Sequence, residues 1–359
     1  MKKIYWYLTI LTSRYIFINI FLVGILILFL NLLEISRILD NENMEIKSFF
    51  ILSLLKIPSI ISDTIPFVIV ISIAFLFRNL ISNNELIAMR NIGLSIIDIF
   101  KPIGITILIF GIFILIIINP ISAKFERTYD SLTSKDFSDN YSIKFINEGM
   151  WIKNTSDKNE KNFINIAKID LDSMRVKDIK ILNINKDNNK IILAKDGLIE
   201  DRMFKLNQVT LFNIDSDLYE NINNFKLKLN FDKSNIVDSI SNYKFIPFYK
   251  YKEHINNLKK FNLHSAEVSL YYLSEILKPI FLMIIGFTVM GFSAKFNRND
   301  SFFKILFIAI LIGFLIFLLK EIIVSLTTSL GISFILSYFI ILIFPLIIGL
   351  YQVIKIEID

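Results

Sequence analysis

The chain has 359 residues, 54% of them hydrophobic and only 20% charged, with a mean hydropathy of +0.57. This excess of apolar residues points to an integral membrane protein and excludes a disordered chain, collagen and a small disulfide scaffold. The net charge of +6 is explained by cytoplasmic Lys and Arg beside membrane spans, with no nucleic-acid partner expected, and the absence of Cys removes disulfides and thiolate chemistry.

Six stretches are long and apolar enough to cross a bilayer core, which needs on the order of 20 helical residues. They are Tyr15–Leu33, Ile57–Phe77, Ile99–Asn119, Ile276–Ser293, Phe302–Leu319 and Ile332–Tyr351. The first follows Lys2, Lys3 and Arg14 without a small-residue cleavage site, and reads as a retained anchor. With the N-terminus inside, the inner flanks hold Lys2, Lys3, Arg14, Arg78, Arg90, Lys101, Lys295, Arg298, Lys304 and Lys355. The outer short loops hold only Arg37, Lys47, Lys56 and Lys320. Cytoplasmic loops carry the excess of cations, so both termini are expected in the cytoplasm.

The chain divides into 1–120, with three spans and a cytoplasmic helix near 84–93; 121–263, an extracytoplasmic insert; and 264–359, with three more spans. The insert reads as β. Phe225, Leu227, Leu229 and Phe231 alternate with Lys226, Lys228 and Asn230, the period of two of a half-buried strand. Further strands are expected over Ile143–Lys153, Asn162–Ile169, Lys177–Asn185, Lys190–Ile199 and Phe204–Asn213. Lys186-Asp187-Asn188-Asn189 and Lys195-Asp196-Gly197 read as turns between them. About seven short strands suggest a sandwich or jelly roll. Pro247–Phe261 reads as an amphipathic helix with Tyr251, Ile255 and Leu258 on one face.

No catalytic constellation is visible. His254 and His264 lack metal-site spacing and read as surface residues, and no metal or cofactor is expected. Gly286 to Gly291 lacks the lysine of a phosphate loop and lies inside a span, where small residues serve close helix packing. The chain is therefore expected to hydrolyse no ATP itself. Charges at the span ends have two readings: snorkelling or local pairing, as for Glu275 with Lys278, or contact with anionic lipid groups, for which Arg37 and Lys320 are the candidates.

Between spans two and three, Asn83-Asn84 can cap a short helix that Gly93 closes. Leu86, Met89 and Ile92 are expected on one face, with Glu85 and Arg90 elsewhere; the helix reads as a lipid-facing turn or as a knob for a groove on a cytoplasmic partner.

The run Glu85-Leu-Ile-Ala-Met89-Arg90-Asn-Ile-Gly93-Leu-Ser95 resembles the LptF/LptG (YjgP/YjgQ) permeases of lipopolysaccharide export. The resemblance extends to Pro58 and Pro66, Asn119-Pro120, Gly149-Met-Trp151-Ile-Lys153 and Ser274-Glu-Ile-Leu-Lys-Pro279, essentially the whole length, and is closer to LptG. It implies an α-helical membrane protein with six spans and a jelly-roll-like periplasmic domain between helices three and four. It further implies a half-transporter in the inner membrane that pairs with an LptF-like paralogue, is driven by an LptB-like ATPase dimer and passes lipopolysaccharide to an LptC-like periplasmic bridge. Glu85, Leu86, Met89, Arg90 and Gly93 would form the ATPase-coupling element. Arg37 and Lys320 would meet the lipid phosphates, although Glu34-Ile-Ser-Arg37-Ile-Leu-Asp40 is more acidic than the family pattern. Phe225, Leu227, Leu229 and Phe231 would either pack a closed core or line a slot for acyl chains. A membrane receptor or structural anchor is the rival reading, and it leaves six spans and the capped helix without a task.

Overall fold

The computed structural model describes residues 2–38, 46–137, 143–155, 161–170, 174–184, 189–200, 202–214, 218–229, 242–260, 265–295 and 301–358. Among the described residues six helices are long and apolar enough to cross a membrane, where the sequence places six spans. α1 (Lys2–Ile38) and α2 (Ile46–Ser82) precede the short α3 (Glu85–Asn91). α4 (Ile96–Phe113) runs through a π-helical turn, Ile114–Ile118, into α5 (Asn119–Phe137). After a β region come α6 (Tyr251–Lys260), α7 (Ala266–Ser293), α8 (Phe302–Leu330) and α9 (Phe334–Ile358).

The helices overrun the spans read from hydropathy. A helix of 37 residues such as α1 extends about 55 Å, against a hydrocarbon core of about 30 Å, because backbone bonding continues into the polar flanks. The third long helix does not stop at Asn119-Pro120, where the sequence ends the span. Pro120 cannot donate to the carbonyl four residues before it and its ring crowds that carbonyl; the π turn over Ile114–Ile118 widens the helix there and lets it continue.

Two compact units are present, residues 1–129 with 266–359, and residues 130–265. In the first, Ile65, Ile69, Ile73 and Phe77 on α2 recur every fourth residue. They join Ile99, Ile103 and Ile107 on α4 and Leu282, Ile285 and Val289 on α7 in one buried cluster. Gly286 and Gly291 belong to this packing, as their place inside a span suggested. A Cβ on Gly286 would come 2.6 Å from Ile107, and one on Gly291 would come 3.2 Å from the Gly349 carbonyl. α1 and α8 expose Phe21, Phe29, Phe307 and Phe314, a surface suited to lipid or another protein.

The second unit holds an antiparallel sheet of β1 (Ile143–Thr155), β2 (Lys161–Asp170), β3 (Arg175–Ile184), β4 (Lys190–Glu200), β5 (Met203–Asn213) and β6 (Leu218–Lys228). The strands pair in sequence order, so among the described residues the β domain is a meander without Greek-key crossovers. The sheet carries a crease. Ile166 pairs with Ile179, Ile179 with Ala194, Ala194 with Val209 and Val209 with Ile222. The adjoining residues Asp178, Lys195, Gln208 and Asn223 form a row without paired partners, and Asp178 and Gln208 have φ of 56 and 52. Along this row the alternation slips by one residue in each strand: Ile166 then Ile169, Val176 then Ile179, Leu206 then Val209. Residues from both sides of the row therefore join one buried cluster.

This corrects the reading of Lys195-Asp196-Gly197 as a turn. The three lie inside β4, and their polar, small character serves the crease; a Cβ on Gly197 would come 2.9 Å from Leu206 and Phe204. Of the other expected turn, Lys186 to Asn188 lie outside the described residues. His254 is also corrected: it is 3% exposed, because it shares the inward face of α6 with Tyr251, Asn257 and Leu258. His264 lies outside the described residues.

Candidate functional site

The loop between α2 and α4 is built for a compact projection. Asn84 enters α3 at φ 58, its carbonyl accepting from the Ala88 N–H at 3.0 Å. The expected side-chain cap is absent; Asn83 instead donates to the Asn79 side chain at 3.3 Å, since the left-handed backbone at Asn84 turns its side chain away from the helix start. Gly93, at φ +88, ends α3 by donating to the Arg90 carbonyl at 2.9 Å, while Leu94 donates to that of Met89 at 3.2 Å. Two residues later Ser95 and Asp98 form a capping box that starts α4, and Lys101 pairs with Asp98 at 2.7 Å.

Leu86 and Met89 share a face, as the spacing predicts, but that face is turned inward and both join the main buried cluster. Ile92 is not with them. Ile87 and Ile92, 55% and 66% exposed, are the apolar groups that α3 and its end present outward, beside exposed Arg90. Seven residues cannot hold a helix in place by their own hydrogen bonds, so the inward pair acts as its anchor. Glu85 and Arg90 do project elsewhere. Tyr7 on α1 donates to Glu85 Oε2 at 2.7 Å, and an Arg90 Nη reaches the Ile356 carbonyl on α9 at 3.4 Å. Glu357 accepts from the Ile96 N–H at 2.6 Å. Sequence reasoning missed Tyr7, Ile87 and Glu357: Tyr7 and Glu357 meet partners 78 and 261 positions away, and nothing local marks the contact.

The second cluster lies among α2, α5, α7 and α9. Lys278 Nζ is 2.5 Å from Glu275 Oε1, 2.9 Å from Ser62 Oγ and 3.3 Å from the Ser62 carbonyl, which accounts for its three donors. Asn119, just past the π turn, donates to Glu275 Oε2 at 3.3 Å. The pair is buried, so local pairing is the correct reading and snorkelling is not. An open cleft that the pair helps to line is also bordered by Asp63, Tyr271, Lys320 and Tyr338.

Lys320 therefore faces the cleft. Arg37 is in the last turn of α1, and its side chain lies outside the described residues, as does Phe231. Phe225 and Leu227 are half-buried against the β cluster and Leu229 is within it. The structure thus gathers the α3 residues into one projection and three of the four β residues into one core. The model of a family described as lipopolysaccharide export system permease LptF/LptG matches residues 6–355. Comparison with curated proteins gives no match.

Proposed function

The chain belongs to the lipopolysaccharide export system permease family LptF/LptG, and on that premise we propose that it is the LptG-like half of an ATP-driven exporter. The family is one of transport subunits, and the six apolar helices suit a multi-pass protein of the inner membrane. In the proposed assembly an LptF-like paralogue covers the exposed apolar faces of α1 and α8. An LptB-like ATPase dimer docks on α3, and an LptC-like bridge receives lipopolysaccharide from the β domain. Both termini and α3 are cytoplasmic and the β domain is periplasmic.

The observation that carries this reading is the family match over residues 6–355, on a frame with a short capped projection between two spans. Glu85, Leu86, Met89, Arg90 and Gly93 act in docking by two routes: Leu86, Met89 and Gly93 set the position of α3, and Glu85 and Arg90 offer charge to the partner. Arg37 and Lys320 meet lipid phosphates, Arg37 through a bidentate contact and Lys320 through a point charge. Phe225, Leu227, Leu229 and Phe231 either pack a closed core, the reading that the burial of Leu229 supports, or line a slot for acyl chains.

The test is purification of the chain with its co-expressed neighbours, with identification of bound subunits and extracted lipid. A co-purifying ATPase with bound lipopolysaccharide is expected; a stable complex lacking both would overturn the proposal. Arg37→Glu with Lys320→Glu should lower the yield of crosslinked lipopolysaccharide while leaving assembly intact. Photo-crosslinkers at the four β positions separate the two: lipid adducts during export mark the slot, and adducts at none of the four leave only the closed core.

A further inference from the structure

α1 and α9 meet the segment formed by α3 and the start of α4. Tyr7, near the start of α1, donates to Glu85, the first residue of α3. Glu357, next to the last residue of α9, accepts from Ile96, the first residue of α4. A carboxylate at that point takes one of the N–H groups that a helix start leaves unpaired, and it meets the positive end of the α4 dipole. Arg90 adds a longer contact to the neighbouring Ile356 carbonyl. The projection is thus bracketed, by α1 at its beginning and by α9 just after its end.

The two kinds of contact on α3 have different mechanical consequences. Leu86 and Met89 hold it against the bundle by apolar burial, which is non-directional and tolerates a small slide. The Tyr7 and Glu357 hydrogen bonds are directional and short, and they link α3 to α1 and the start of α4 to α9. α1 packs against α2 and α4 through the fully buried Leu8 and Ile16, and exposes its opposite face.

We infer that Tyr7 and Glu357 are positioning residues, Tyr7 tying α3 to α1 and Glu357 tying the start of α4, just after α3, to α9, so that a displacement of the corner formed by α3 and the start of α4 is delivered to those two spans. This rests on the proposal that α3 receives the stroke of an ATPase, and it names the elements that carry the stroke onward. The contacts that carry it are the Tyr7–Glu85 and Ile96–Glu357 hydrogen bonds, with the longer Arg90 contact to the Ile356 carbonyl beside them.

Three single variants separate the tie from mere stability. Tyr7→Phe removes one hydroxyl and keeps the ring. Glu357→Ala removes the acceptor, and Glu357→Gln keeps an acceptor oxygen. In the complete complex in proteoliposomes, Tyr7→Phe and Glu357→Ala should retain the ATPase and its hydrolysis while lipid released per ATP falls about three- to tenfold, the value of one hydrogen bond. Glu357→Gln should stay near the unmodified protein. An unchanged ratio in both disruptive variants would overturn the inference. So would a parallel fall in ATPase binding, hydrolysis and lipid release, which is the signature of a purely structural role.

A second measurement is independent of any ATPase. The chain has no Cys, so spin labels at Ile10→Cys and Ile87→Cys, both exposed, report the spacing of α1 and α3 directly. The distance distribution should be narrow with Tyr7 and broader in Tyr7→Phe; identical distributions would overturn the tie. If the unmodified complex releases no lipid on ATP addition, the transport proposal fails, and the spin-label comparison still decides the inference.

Discussion

Gly111 of α4 lies against the backbone of Pro279 in α7: a Cβ at Gly111 would come 2.6 Å from the Pro279 Cα. Neither partner can yield, since one has no side chain to remove and the other is locked by its ring. Gly111→Ala should therefore force the two helices apart and cost about 1–3 kcal/mol, with Gly111→Leu costing more. Gly24→Ala is the control, because a Cβ there meets only the Ile61 side chain at an ordinary 3.7 Å. Thermal unfolding of the solubilised protein compares them, and equal midpoints for Gly111→Ala and Gly24→Ala would contradict the close approach.

The Glu275–Lys278 pair predicts strong non-additivity. Lys278→Met leaves Glu275 buried with Asn119 as its remaining partner, and Glu275→Gln leaves a buried ammonium, so each single change should cost about 3–5 kcal/mol. The double variant removes both charges and should cost less than the sum. A double-mutant cycle from denaturation midpoints measures this, with strict additivity as the contrary result.

On α3 the inward and outward residues should separate cleanly. Met89→Ala opens a gap in the main cluster and should lower stability by about 2 kcal/mol or more. Ile87→Ser is exposed and should leave stability within about 0.5 kcal/mol while reducing retention of the co-purified ATPase. Full retention with Ile87→Ser, Glu85→Ala and Met89→Ala alike would end the docking proposal.

The crease in the sheet can be tested at Gln208, whose side chain is exposed and whose φ is 52. Glycine is at ease in that conformation and valine is not. Gln208→Gly should stabilise by about 0.5 kcal/mol, and Gln208→Val should destabilise by about 1–2 kcal/mol. A stabilising valine, the usual outcome at an exposed strand position, would show that β5 runs straight through this row.

Hydropathy over about twenty residues is a local quantity, so the sequence alone determined the number, order and approximate place of the six membrane helices. The same holds for the short helix closed by Gly93 and for β1 to β5, whose polar and apolar residues are near neighbours in the chain; β6, expected over Phe225 to Phe231, instead runs Leu218–Lys228, since its polar first half shows no alternation. The crease escaped because a one-residue slip in alternation looks like a turn until neighbouring strands show the same slip at the same row. The helix beyond Asn119-Pro120 escaped because a π turn leaves no pattern in the residues. Spacing placed Leu86 with Met89, but only the packed bundle decided that they face inward and leave Ile87 outside. Tyr7 with Glu85, and Ile96 with Glu357, were settled by tertiary structure alone: a hydrogen bond depends on position in space, and these partners are brought together only when α1 and α9 pack beside the loop that carries α3.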